Sequence, residues 1–144
     1  MPSKGSTALD IDSEQMFLYN VGEVVMSKGR LFLFHWNRPE AEEYAKGLRG
    51  QGWEVDFEWE DGARGGNAVK LNPPDAVVFY HTRLPSHSRA TAEYFAQTKS
   101  MRNIPLIFVG GEGEALDKTK QKIPTGIFVS EDKLAAALAK YAKA

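Results

Sequence analysis

A chain of 144 residues suits one domain with room for a tail, since single cores most often occupy roughly 100–150 residues. It contains no cysteine, which excludes a disulfide framework, a thiolate zinc or iron–sulfur site and a cysteine nucleophile. Eighteen Lys and Arg against nineteen Asp and Glu give a net charge of −1, without the cationic surplus behind nonspecific nucleic-acid binding, and no apolar run reaches the roughly 20 residues of a membrane-spanning helix.

The N-terminus lacks the charged-then-apolar order of a signal peptide, so a soluble, cytoplasmic chain is expected, with neither membrane nor nucleic acid as a direct partner. Met1 to Asp12 is rich in Ser, Gly and charge, too polar to offset ordering entropy, and reads as a tail. Met16 to Met26 turns apolar around Asn20 and Gly22, which fits a hairpin, a short helix or a partner-seeking arm equally well. Residues 1–29 therefore read as an extension and 30–144 as the domain.

Leu31-Phe32-Leu33-Phe34 is apolar at every position, as in a parallel strand covered on both faces. Asn37 offers an N-cap and Pro39 suits a first helical turn, after which Ala41, Tyr44, Ala45 and Leu48 recur at helical spacing up to Gly50 and Gly52. Trp53, Val55, Phe57 and Trp59 alternate with Glu54, Asp56 and Glu58, the period of a half-exposed edge strand. Asp61-Gly62 turns the chain into a helix over Ala63–Leu71 that Gly65 and Gly66 weaken.

Ala76–Tyr80 and Leu106–Val109 are further apolar strands, with a helix predicted over Ser88–Met101 between them. A short polar helix around Glu114–Gln121 precedes a last strand, Ile127–Val129. Ser130 is placed to cap the closing helix, whose buried face carries Leu134, Leu138 and Tyr141, with Lys140 and Lys143 at its negative dipole end. Five strands alternating with five helices require right-handed crossovers. The expected fold is a flavodoxin-like α/β/α sandwich on a parallel sheet of order 2-1-3-4-5.

Three phrases carry a family resemblance. Glu60-Asp61-Gly62-Ala63 follows the second strand, Pro73-Pro74-Asp75-Ala76-Val77-Val78 leads into the third with Arg83-Leu84-Pro85 after it, and Asn103-Ile104-Pro105-Leu106-Ile107 leads into the fourth. Together they resemble the receiver domain of bacterial response regulators, over Arg30 to Ala144. That resemblance implies phosphorylation of an Asp at the carboxyl end of the sheet, assisted by Mg²⁺ on an acidic pair after the first strand. Here the acidic pair is replaced by His35 and Trp36, the phosphoacceptor by His81, the hydroxyl after the fourth strand by Gly110, and the lysine after the fifth by Ser130. The resemblance thus implies a degenerate receiver without the aspartyl switch and without a cofactor. It would be a non-enzymatic two-component-type signalling module that works through a protein partner or a homodimer, with Ser130–Ala144 as the contact surface.

A different class of function is open to the histidines. His35, His81 and His87 are all the histidines of the chain, and neighbouring parallel strands lie about 4.8 Å apart, so His35 and His81, with or without His87, are candidates to hold a small ligand or zinc or copper, with Glu112 or Glu114 as an oxygen ligand. The simpler reading makes the first two filler and His87 solvated. Ser86 and Ser88 flank His87, an arrangement for a hydrolase, although Ser88 reads better as an N-cap. Arg83 and Arg89 could bind an anion there. Gly110-Gly111-Glu112-Gly113 lacks the Lys of a phosphate loop, and Lys118, Lys120 and Lys122 read as a solvated face.

Overall fold

Apolar runs too short to cross a domain as helices become the sheet. The computed structural model describes residues 27–142; the predictions for Met1–Met26 and Lys143 lie outside them. Among the described residues the strands are β1 (Arg30–Phe34), β2 (Glu54–Glu58), β3 (Ala76–Tyr80), β4 (Leu106–Val109) and β5 (Ile127–Val129). All neighbours pair in parallel, in the order β2-β1-β3-β4-β5. This is the flavodoxin-like order 2-1-3-4-5 that the alternation of elements predicts.

The helices between them are α1 (Arg38–Gly50), α2 (Gly62–Leu71), α3 (Pro85–Gln97), α4 (Gly113–Lys122) and α5 (Leu134–Tyr141), with a short 3₁₀ turn at Glu131–Lys133. One face of the sheet buries Leu31, Leu33, Val78 and Tyr80 under Ala41, Ala45 and Leu48 of α1 and Leu134 and Leu138 of α5. The other buries Phe32, Phe34, Val77, Phe79 and Phe108 under Val69 of α2 and Ala92 and Phe95 of α3. Period-two alternation on strands covered from both sides produces these two separate cores.

Register gives the second core its form. Phe34, Phe79, Phe108 and Phe128 occupy one row across four strands. Their rings stack at 5.1, 5.0 and 4.9 Å with interplanar angles of 10°, 14° and 10°, close to the interstrand spacing of about 4.8 Å. Helix α2 reaches this ladder closely because a Cβ at Gly65 would run into the Phe34 ring. Its N-terminus is fixed by Asp61, whose Oδ1 accepts from the amides of Ala63 (2.9 Å) and Arg64 (3.1 Å), a side-chain cap.

Local expectations shift in three places. Helix α3 begins a turn early, with Pro85 in its first turn after Leu84 at φ 42°; Ser88 lies inside it and does not cap it. Tyr141 is 39% exposed rather than part of the buried face of α5. Glu58, read as one of the outward residues of β2, is buried.

Candidate functional site

The carboxyl ends of β1, β3, β4 and β5 form the edge where open α/β sheets gather ligands. Asn37 starts α1 there, its Oδ1 accepting from Glu40 N at 3.1 Å, and this cap directs the Glu40 side chain back over the sheet. Arg83, just beyond β3, donates from Nε to Glu40 Oε1 at 3.0 Å and from Nη2 to Oε2, a two-pronged clamp. His35 Nε2 lies 3.1 Å from the same Oε1.

His35 is 1% exposed. Its ring lies on Tyr44 (5.4 Å) and Tyr80 (5.3 Å), which stack on each other at 4.2 Å. Tyr44 also donates to Glu131 Oε1 at 3.2 Å. Burial pushes the imidazole below its ordinary value; Glu40 opposes that shift, Arg83 reinforces it and Glu131 opposes it. Nδ1 is buried without a hydrogen-bond partner among the described residues.

His81 stands on the other face. Phe34 pairs with Phe79, so one residue further on His35 meets Tyr80 while His81 turns toward Phe108, edge-on at 6.0 Å. Strand adjacency therefore does not bring His35 and His81 together. They are a residue apart in register, and parity sends their side chains through opposite faces. His81 Nε2 meets Thr119 Oγ1 at 2.7 Å. That hydroxyl also lies 3.0 Å from Ala115 O and accepts from Arg89 (3.2 Å), and Nδ1 is buried with no hydrogen-bond partner among the described residues. A Cβ on Gly111 would lie 2.5 Å from that Nδ1. Only a glycine lets the loop after β4 lie so close, with Gly110 and Gly111 at φ 77° and 89°. Burial, then Arg89, pushes the His81 imidazole down.

The remaining candidates separate as well. His87 is exposed, its ring 5.6 Å from Trp36. The Ser88 hydroxyl is fully buried and accepts the Trp36 indole N–H at 2.9 Å, which commits it to packing rather than to a nucleophile–base pair with His87. Arg89 points at Thr119 and Ala115, and Arg83 at Glu40, so neither guanidinium is aimed at an open anion site. Ser130 Oγ bonds Asp132 at the 3₁₀ turn instead of capping α5. Glu112, Glu114, Lys118, Lys120 and Lys122 are exposed; Lys120 Nζ sits 5.6 Å over the Phe128 ring. Among the described residues no three His, Asp or Glu side chains converge on one point.

A shallow groove lined by Trp36, Glu40, Thr82, Arg83 and Leu84 crosses this edge. Two features of its surroundings escape the sequence reading. The Glu40–Arg83 clamp joins residues 43 apart, and nothing in local spacing announces it. Glu58 accepts from Arg64 Nε (2.8 Å) and Nη2 (2.7 Å) and from the amides of Glu60 (3.0 Å) and Asp61 (2.9 Å). Burial opposes its charge, but these donors outweigh burial and hold the carboxyl at about 2. Its signal is Arg64, six residues on and one turn into α2.

No protein-family model matches the chain, and no curated protein matches it. Solved structures do. The receiver domain of a sensor histidine kinase from Pseudomonas aeruginosa, with magnesium coordinated in its active-site cleft, superposes with a TM-score of 0.63 at 17% identity, covering 80% of this chain and 98% of that one. The signal receiver domain of a histidine kinase from Syntrophus aciditrophicus gives 0.64 at 16% identity, over 78% and 89%. The N-terminal domain of a response regulator receiver protein from Methanoculleus marisnigri gives 0.61 at 15%, over 79% and 93%.

The chain has the fold of a response-regulator receiver domain. At the carboxyl edge of this fold stand His35, Trp36 and His81, with Glu40 nearby and paired with Arg83. No helix among the described residues is long and apolar enough to cross a membrane.

Proposed function

We propose that residues 30–144 form a non-catalytic, receiver-like regulatory module of the cytoplasm that acts through protein–protein contacts and is not phosphorylated on Asp, with residues 1–29 as an appended segment. The observation that carries this reading is the Glu40–Arg83 clamp beside His35. Aspartyl phosphorylation needs a carboxylate nucleophile and a divalent cation to neutralise the phosphoryl oxygens. At the corresponding corner a fixed guanidinium supplies the positive charge and one carboxylate is spent on it. His81, in the phosphoacceptor position, lies with Nδ1 under Gly111.

The partner surface favoured by the resemblance is Ser130–Ala144, where Tyr141 stands 39% exposed; a second copy of the chain or a different protein would dock there. The test is incubation of the full chain with acetyl phosphate and Mg²⁺. No acid-labile, hydroxylamine-sensitive phosphate is expected, and its appearance would overturn the proposal. Sedimentation of the full chain and of Tyr141→Glu then reads the surface. A concentration-dependent dimer weakened by the substitution supports self-association, and a monomer insensitive to it rules out the homodimer.

A further inference from the structure

His35 touches Glu40, Tyr44 and Tyr80 at the α1/α5 end of the sheet edge. The titratable and charged groups facing it are Glu40 and Tyr44 from α1, Tyr80 from β3, Arg83 from the following loop and Glu131 from the 3₁₀ turn. In the neutral ring Nε2–H donates to Glu40 Oε1, and Nδ1 is a lone pair without a partner among the described residues. Any further proton must go on Nδ1, where it becomes a buried donor with no acceptor, between aromatic rings and 1% exposed.

Two groups compete for one carboxylate. Glu40 is shared by His35 Nε2 and by both prongs of Arg83. A neutral His35 leaves Glu40 and Arg83 as a balanced pair; a charged one makes the trio net positive and sets two cations against each other. The core cannot yield, because Tyr44 and Tyr80 are packed into it. Arg83 and Glu40 can, with side chains 47% and 41% exposed.

We propose that His35 is a proton-operated latch on the β3–α3 loop: neutral, it leaves Glu40 to hold Arg83 down, and protonated, it takes Glu40 over and frees Arg83 with Thr82 and Leu84. The output is a freed basic side chain beside Leu84, which is already exposed, at the receiver-fold edge and set by acidification instead of by phosphate. This deepens the proposed regulatory role, since it replaces the missing switch input at the same edge.

The test follows hydrogen exchange in the full chain at the Arg83 Nε–H, which donates to Glu40, and at the His87 and Ser88 amides, which donate to Leu84 O, corrected for intrinsic rates. Lowering the pH from about 7.5 through the ordinary imidazole range and below it, to where His35 takes its proton, should loosen these protons about tenfold. His35→Phe, which keeps the ring stack and cannot charge, should abolish that response; His81→Phe, on the other face, should leave it intact. Imidazole nitrogen shifts in the unsubstituted protein give a readout that needs no variant, and His35 should take its proton over the interval in which the loop loosens. Loop protection that ignores pH, or loosening while His35 stays neutral, or a response that follows His81, would each overturn the latch. An aspartyl phosphate found with acetyl phosphate would instead sink the regulatory reading and leave the latch standing.

Discussion

On the α2–α4 side of the sheet the carboxyl-edge row is four stacked phenylalanines, while one residue further along, on the α1/α5 side, the same strands end in His35, Tyr80 and the Glu40–Arg83 pair. The first side is dry and geometrically regular, held by area and ring contact. The second is polar, partly open and held by shared hydrogen bonds. A single step along a strand separates the two regimes, because successive side chains leave a sheet on opposite faces. Rigidity belongs to the ladder, and any switching belongs to the polar side.

The sharpest way to break this contrast is to remove a rung. Phe79 is stacked on Phe34 and Phe108 and is fully buried, so Phe79→Ala should cost about 3–5 kcal/mol by equilibrium denaturation. A loss under about 1 kcal/mol would mean that the ladder is coincidental to stability. Such a small loss would also remove the distinction between a rigid face and an adjustable one.

Most of the fold was legible because strand and helix periods are local properties. The four apolar runs and the alternating edge strand β2 each carry their own burial pattern, and Asn37 and Asp61 mark two helix starts by chemistry alone. The Phe ladder was also readable in principle, since Phe34 ends its strand and Phe79, Phe108 and Phe128 each stand one position before the end of theirs. The site was less legible for a physical reason. Placing His35 beside His81 needed the register, and register is a property of the pair of strands rather than of either sequence. Ser88 misled in a similar way. Its type suits an N-cap, but Pro85 starts the helix a turn earlier and Trp36, 52 residues away, claims the hydroxyl.

Acid separates the two faces through the neighbouring strand β2, whose Glu58 pairs in register with Phe34. Glu58 is held at about 2 against a usual value of 4.5, chiefly by Arg64 and the Glu60 and Asp61 amides working against burial. Its folded-state value is the depressed one, so its contribution is complete above 4.5 and is lost as the pH falls from there toward 2. Arg64 is half exposed, and discounting for solvent leaves Glu58→Gln costing about 2 kcal/mol near neutral pH. The histidines act in a higher window. Burial holds both His35 and His81 below 6.5, so the unfolded chain binds protons first and stability declines as the pH drops below 6.5. Denaturation midpoints against pH should therefore show two descents, and Glu58→Gln should flatten the lower one only. Loss of the upper descent in Glu58→Gln would contradict the separation.

The smallest expected effect tests whether the junction between the faces is packing or chemistry. Trp36 belongs to the ladder side, its ring 5.7 Å from Phe34, and its indole N–H reaches the buried Ser88 hydroxyl. Ser88→Ala strands that donor where water cannot enter, a cost of about 1 kcal/mol. It should also shift the Trp36 indole proton resonance toward that of an unbonded N–H while the chain stays folded. If Ser88 were a nucleophile served by His87, the same substitution would abolish a hydrolytic activity on an activated ester, and His87→Ala would do so equally. The geometry predicts otherwise. An oxygen that receives the Trp36 proton donor from one direction and is wholly buried offers no path to a substrate carbonyl, so Ser88→Ala should weaken the fold slightly and leave any background ester hydrolysis where it was.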